Sequence, residues 1–392
     1  MLTLKQIEGI AEAILDLYQR IESDLLLNVA ARFSVLNGAP LSGMAAWQAE
    51  KLNELGALRA ENIELLAKYS GLTEKAIVKT LTEAGYKAVE YDEGIYAKAY
   101  EKGLLPNAAT PLRASEGVKQ ILNAAVGNAK NVLNLVNTTA VQSAQQAFMD
   151  IVNQAYLETS LGVRSYGDAI RTAVRALADK GITGASYIKN GKTINYQIDT
   201  AVRKMILGSV SQTAGAVQMQ RADDWDSNLV EVTSHIGARS SHAEWQGQVY
   251  WRKHPEKNYR SFENCHYGEP GIGLKGDAFC QHDFYPFFEG LNEQKNKPYD
   301  IEENERAYQE SQQQRGLERD IRQQKRRILT AQAIGDRPTM LTAQLKLKEK
   351  EAELSDFLAK TGRTRRADRQ QVYGFGRSEA SSASWAAKTT GA

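Results

Sequence analysis

SEGVKQILNAAVGNAKNVLNLVNTTAVQSAQQAFMDIVNQAYLETSLGVRSYGDAIRTAVRALA, residues 115–178, is built from Ala, Asn, Gln, Val and Leu without a proline. That is the pattern of long packed helices in a bundle. Gly181-Ile182-Thr183-Gly184 ends it, and two β-prone runs, Ala185–Lys189 and Lys192–Tyr196, then flank Asn190-Gly191, the strongest short hairpin signal in the chain. Helical periodicity returns at Ile198–Asp223 through Val202, Ile206, Val210 and Val217. Residues 112–228 therefore read as a central helical region carrying a β-hairpin at 185–196, which sets the fold class as α+β and predominantly α-helical.

Toward the N-terminus, Leu4, Ile7, Ile10, Ala11, Ile14, Leu17, Tyr18, Ile21 and Leu25 recur at three- and four-residue steps, so a helix is expected over 2–37 with Asn37-Gly38 as its stop. Shorter helices follow at 44–55, 59–70 and 74–84, with Gly56 as an interruption and Thr73 as an N-cap. Residues 1–103 thus read as a helical docking region, closed by the loop Gly103–Pro111. Toward the C-terminus the period changes to two at Val230 and Val232, opening a compact α+β His/Cys/Trp module over 229–298. Charged helical patterns resume over 299–360, with Leu317, Ile321 and Ile328, then a break at Gly335–Pro338, then Leu347, Leu354 and Leu358, the signature of a helical hairpin. The Arg/Gly/Ser-rich tail, 361–392, is expected to order only against a partner.

Composition limits the functions available. The chain has 392 residues, 42% hydrophobic and 24% charged, with a net charge of +2, so no global field drives it onto nucleic acid or an anionic membrane. The ends are mildly opposite, −4 over residues 1–100 and +4 over 300–392. Met1–Gln19 alternates apolar and charged residues and builds no signal core, so cytosolic folding is expected, and no apolar run suits a membrane span. Two cysteines cannot make a disulfide scaffold, and both are expected to be reduced.

Chemistry concentrates in one place. All five histidines (His235, His242, His254, His266, His282) and both cysteines (Cys265, Cys280) fall between 235 and 282, with Trp225, Trp245 and Trp251 nearby. Thiolate sulfur and neutral imidazole are the ligands zinc prefers, which makes Cys265, His266, Cys280 and His282 candidate metal ligands. Cys280 and His282, at i and i+2, would face the same side of a strand. The paired C-x-x-C or H-x-x-x-H spacing of zinc sites is absent, so no cofactor is assigned, and the preferred reading makes the cysteines buried small hydrophobes. His242-Ala243-Glu244 matches the H-x-E half of the zinc deaminases without the P-C-x-x-C half, which rejects that reading.

Arg239, His242, Glu244 and His282 form a candidate acid/base set for a nuclease or toxin-like enzyme, though no nucleophile or oxyanion donor accompanies them. Gly268–Gly276 lacks the spacing of a phosphate cradle and reads as a flexible loop. Trp245 with Phe284, Tyr285, Phe287 and Phe288 is expected to form one structural core. Arg363, Arg365, Arg366 and Arg369, near Tyr373 and Phe375, could track a phosphate backbone, but Asp368 interrupts the run and a solvated or protein-docking tail is preferred.

Ser234–Gly247 (S-H-I-G-A-R-S-S-H-A-E-W-Q-G), followed by a glycine-rich loop and Cys280–Gly290, resembles the core signature of the phage minor capsid protein 2 family. The likeness extends to Trp47-Gln48, Leu52–Gly56, Glu303-Asn304-Glu305, Tyr308, Gln314-Arg315, Glu318-Arg319, Ile321-Arg322 and Gln371–Arg377. This sequence departs from it at Ser240, where the family usually shows proline, and in the extra Cys265-His266 pair. The resemblance implies a head protein of tailed bacteriophages or prophages, found in the virion near the portal after assembly in the host cytoplasm. It implies no established enzymatic activity, and contacts with the portal protein and other head proteins. Self-association and contact with packaged DNA are further expectations; a membrane is not.

Overall fold

A computed structural model of the chain describes residues 4–34, 43–276 and 280–390. Helices α1 (Leu4–Ala30), α2 (Met44–Asn53), α3 (Leu55–Glu101), α4 (Glu116–Ser160) and α5 (Tyr166–Lys180) lead into a hairpin of β1 (Thr183–Lys189) and β2 (Lys192–Gln197). Then come α6 (Ile198–Asp224), β3 (Leu229–Val232), the single turn α7 (Ser240–Ala243), β4 (Val249–Trp251), β5 (Arg260–Ser261) and β6 (Phe284–Pro286). Helices α8 (Ile301–Ile334), α9 (Arg337–Thr361) and α10 (Arg377–Thr390) complete a predominantly helical α+β fold. No described helix is long and apolar enough to cross a membrane.

The expected string of short N-terminal helices is corrected: α3 runs unbroken for 47 residues through Gly56, Gly71 and Thr73. A helical glycine costs only about 1 kcal/mol relative to alanine. Burial of Leu58, Leu66, Ile77, Leu81, Ala84, Ala88, Val89, Tyr96 and Ala99 along one helix outweighs all four of its glycines, Gly56, Gly71, Gly85 and Gly94. Helix α1 ends at Ala30, and the stop expected at Asn37-Gly38 lies outside the described residues. The hairpin forms where Asn-Gly places it. Asn190 (φ 51°) and Gly191 (φ 72°) both take the left-handed conformation of a two-residue turn, with Lys189 opposite Lys192.

The chain gathers into two compact units. The first comprises residues up to Ile14, Leu72–Leu133 and Arg203–Ser311. It holds a four-stranded sheet in the order β5-β4-β3-β6, antiparallel except for the parallel β4/β5 pair. As the paired inner strand, β3 is buried on both faces. Glu231, which alternates with Val230 and Val232, is fully buried, and its Oε1 accepts from Lys295 N (2.9 Å), Asn296 N (2.6 Å) and Asn296 Nδ2 (2.7 Å). A buried carboxylate is tolerable only with such compensation.

The second unit comprises Leu15–Gly71, Asn134–Val202 and the chain from Gln312 onward. Here Ile321 and Ile328 of α8 meet Ala343, Leu347, Leu354 and Leu358 of α9, the hairpin that the apolar spacing predicts. Asp336 caps α9 by accepting from Thr339 N at 3.2 Å, with Pro338 in the first turn. The tail expected to need a partner instead folds back on this hairpin. Ala383 of α10 enters its core, the Lys325 ammonium lies 5.2 Å from the centre of the Phe375 ring, and Arg366 pairs with Glu318 through two hydrogen bonds of 2.8 and 3.0 Å.

Candidate functional site

The site is assembled by two segments of the first unit, Thr233–Gly247 and Cys280–Asp283, laid across one end of the sheet. Thr233 N donates to Asp283 O at 2.8 Å, and Asp283 N to Thr233 Oγ1 at 2.8 Å, which fixes the two segments side by side. From the far side, Asn304 of α8 accepts from Ala238 N (2.9 Å) and donates to Ala238 O (2.7 Å), giving the Glu303-Asn304-Glu305 stretch a structural purpose. Gly247 takes φ +69°, and a Cβ there would stand 2.4 Å from the Lys297 carbonyl carbon, so only glycine lets the chain pass.

Within that frame Trp245 is 2% exposed and acts as a floor. Its Nε1–H donates to Ile272 O at 3.1 Å, while its own carbonyl accepts from Tyr250 OH at 2.7 Å. Two imidazoles pack on the indole, His242 at 4.8 Å and His282 at 4.7 Å between ring centres, and His235 lies tilted against His282 at 4.4 Å. Cys280 Sγ lies 3.8 Å from His282 Nδ1. On the other side of that ring, His282 Nε2 stands 3.0 Å from Gln246 Oε1, which also accepts from His235 N at 3.0 Å. An amide oxygen accepts only, so Nε2 carries the proton and Nδ1 keeps its lone pair facing the sulfur. His242 Nε2 is buried without a hydrogen-bond partner.

Electrostatics keeps these groups uncharged. Burial, followed by the charges of Arg239 and His235, pushes His242 down to about 4. His282 is held well below the usual histidine range, first by burial and then by His235 and His242. Burial raises both thiols, Cys265 to about 12. Beside the pocket, Lys275 and Asp283 form a buried ion pair at 3.2 Å.

The candidate residues sort differently from their expected groupings. Among the described residues one cluster of metal-type donors stands out: His242, Cys280 and His282, whose ligand atoms all lie within 4.8 Å of one another. Cys265 lies in the apolar core with Val230, Trp245 and Tyr250, and the half-exposed His266 pairs with Glu269 at 3.3 Å. Of the acid/base set, His242 and His282 come together, Arg239 lies near enough to depress His242, and the Glu244 side chain is exposed. Gln246, which orients His282, went unseen; only its place inside the quoted signature hinted at it.

The single aromatic core is corrected as well. All five residues are buried, but only Phe284 joins Trp245. Phe287 packs with Leu229 and Val249, and Phe288 with Tyr96 and Trp225, because successive residues of an extended chain point to opposite faces. Nor is Gly268–Gly276 a loose loop. It is tied by Gly268 N to Leu274 O (2.9 Å) and Leu274 N to Cys265 O (2.9 Å), and a Cβ on Gly273 would stand 1.7 Å from His266 O.

In the second unit, the four tail arginines all have partners within the chain. Arg363 donates to Gln314 (2.9 Å), Arg365 to Ser355 (2.6 Å), Arg366 to Glu318, and Arg369 pairs with Asp368 (3.4 Å).

A family model described as phage minor capsid protein 2 matches residues 2–359. A structural protein of Lactococcus phage LL-H is 25% identical over 350 residues, covering 84% of this chain and 90% of that protein. A structural protein of Lactococcus phage mv4 is 33% identical over 125 residues, 29% of this chain and 92% of that protein. No solved structure matches. With the family model spanning nearly the whole chain, the protein belongs to the phage minor capsid protein 2 family and is a phage structural protein.

Proposed function

We propose that the protein sits in the phage head at or near the portal and acts in head assembly through protein–protein contact, without a chemical step. Family membership supports the setting. The observation that carries the mode of action is what the second unit leaves in solvent. The α8–α9 hairpin closes its apolar stripes on each other, yet Trp385 on α10 is 68% exposed, and Leu157, Leu161 and Val163, at the end of α4, are 54%, 73% and 65% exposed. Leu157, Leu161 and Val163 fall within one short stretch of chain; clustered apolar side chains left uncovered mark contact surfaces, and tryptophan is among the strongest interface anchors.

The test is incorporation. Trp385→Glu should leave the purified chain folded and lower its recovery in heads by about tenfold or more, the size of a lost aromatic anchor. Density for the protein around the portal vertex of assembled heads should accompany that result. Normal incorporation of a Trp385→Glu/Leu161→Glu double variant, or density away from the portal vertex, would overturn the reading.

A further inference from the structure

We propose that His242, Cys280 and His282 form a zinc site that staples the Thr233–Gly247 segment to the Cys280–Asp283 segment. The donor set is one thiol and two imidazoles, the chemistry zinc prefers. These donors come from two stretches of chain 38 residues apart and converge within 4.8 Å. Tetrahedral zinc, with bonds of about 2.0–2.1 Å to nitrogen and 2.3 Å to sulfur, sets donor separations of about 3.4–3.7 Å. Cys280 Sγ and His282 Nδ1 already stand at 3.8 Å, and the His242 donor lies within 4.8 Å of both.

Two features separate this cluster from an ordinary polar patch in a core. The first is orientation. Gln246 Oε1 takes the proton-bearing Nε2 of His282, leaving the opposite nitrogen with its lone pair turned toward Cys280. Metal-binding histidines are held in this way, with the far nitrogen hydrogen-bonded to an outer acceptor. The second is the unpartnered Nε2 of His242, a buried nitrogen whose cost goes uncompensated within the protein. Cys265, although in the same apolar core as Cys280, and His266 stand outside the converging donors, and His266 pairs with Glu269 at the surface. On binding, the Cys280 thiol gives its proton to solvent and the sulfur–zinc bond replaces the S–H bond. An imidazole binds zinc through the lone pair of its neutral form and releases no proton in doing so. Three protein donors leave a fourth position for water.

The experiment uses the full chain, stripped with a chelator, re-loaded with zinc alone and dialysed. Metal analysis should then return about one zinc per chain, and chelation should lower the melting temperature. Loaded instead with cobalt, the protein should show a thiolate-to-cobalt charge-transfer band. That band should persist in Cys265→Ser, which with only two cysteines in the chain assigns the sulfur to Cys280 even if Cys280→Ser misfolds. Gln246→Leu, which touches no ligand atom directly bound to metal, should weaken zinc binding by about 10–100-fold. His266→Ala should change nothing. A folded wild-type chain that retains no zinc from micromolar solution, a cobalt complex without the thiolate band, or a band lost in Cys265→Ser would each overturn the site.

Discussion

Two buried polar clusters, one in each unit, solve the same problem in opposite ways. In the second unit Glu22 of α1, Asp199 of α6, and Arg322 and Arg326 of α8 balance two carboxyl groups against two guanidinium groups. Arg322 pairs with Asp199, Glu22 Oε2 accepts from Asp199 N at 3.1 Å, and Arg326 donates to Ala178 O (2.9 Å) and Gln197 Oε1 (3.1 Å). Burial works against ionisation of Asp199, but Arg322 and Arg326 outweigh it and hold the group below its ordinary value. In the first unit the His242/Cys280/His282 pocket has no opposing charges. Burial strips its groups to neutral forms and leaves one nitrogen unpaired. The cluster that carries opposite charges, Arg322 against Asp199, holds helices together even though Glu22 Oε1 and Arg322 Nε stay unpaired; the one without opposing charges has lone pairs to offer a metal.

The largest effect is expected where a charge enters an apolar cluster. Ile321, fully buried between α8 and α9, has only apolar neighbours in its cluster. Ile321→Asp should abolish docking of the hairpin and with it incorporation into heads, read by proteolysis of the purified chain and by blotting of particles. Wild-type protease resistance would show that the hairpin is not closed by this stripe.

Next in size are Trp245→Ala and Asp199→Ala, one from each cluster, both at about 3–5 kcal/mol for different reasons. The first opens a cavity under the two imidazoles. The second leaves the largely covered Arg322 guanidinium without its carboxylate. Denaturant titrations of both variants would compare them, and a loss below about 1 kcal/mol for Asp199→Ala would mean the ion cluster is solvated.

A smaller effect distinguishes the clusters by pH. Burial, reinforced by the Asp199 charge, pushes Glu22 up to about 8 from an ordinary 4.5. The folded chain then binds a proton here that the unfolded chain releases. This contribution to stability is fully present below about 4.5, falls as pH rises through 8, and is flat above. Glu22→Gln keeps the neutral form at every pH. The difference in melting temperature between Glu22→Gln and wild type should therefore grow in the variant's favour from pH 5 to pH 8, by about 2–4 °C for each kcal/mol recovered. A difference independent of pH would remove the claim that Glu22 is protonated in the folded state.

How much of this was legible beforehand depended on range. The Asn190-Gly191 turn, the α8–α9 hairpin and its break at Gly335–Pro338 are local signals, and all three elements form where the sequence places them. The continuity of α3 was hidden because Gly56 and Gly71 look like stops until the burial along the whole helix is weighed against them. The alternation at Val230 and Val232 gives no sign that Glu231 is buried, because period two cannot say that a strand is covered on both faces. The clustering of histidine and cysteine between 235 and 282 pointed to the right module, yet the grouping inside it depended on how two loops cross, and His242 moved from the acid/base set to the metal-type cluster. In sequence, the signature residues carry only the family resemblance. Structure gives several of them work: Asn304 clamps Ala238, Gln314 and Glu318 hold the tail arginines, and Gln246 orients His282.

The smallest expected effect is the one that decides whether the first unit hosts chemistry. Glu244 is the carboxylate an acid/base mechanism would need beside His242, yet its side chain is exposed while both histidines are buried. Glu244 ends the single turn α7 through its backbone alone, which alanine keeps, so Glu244→Ala should cost no more than about 0.5 kcal/mol and leave the melting temperature nearly unchanged. It touches neither the unpaired nitrogen of His242 nor the Gln246 contact to His282, so metal loading should also survive. Under the assembly reading, particles carrying Glu244→Ala should form and infect like wild type. If they form normally, with wild-type protein content and stability, and still fail to infect, contact surfaces cannot account for the loss. A chemical step needing that carboxylate would then have to replace the assembly reading, because nothing else about the particle would have changed.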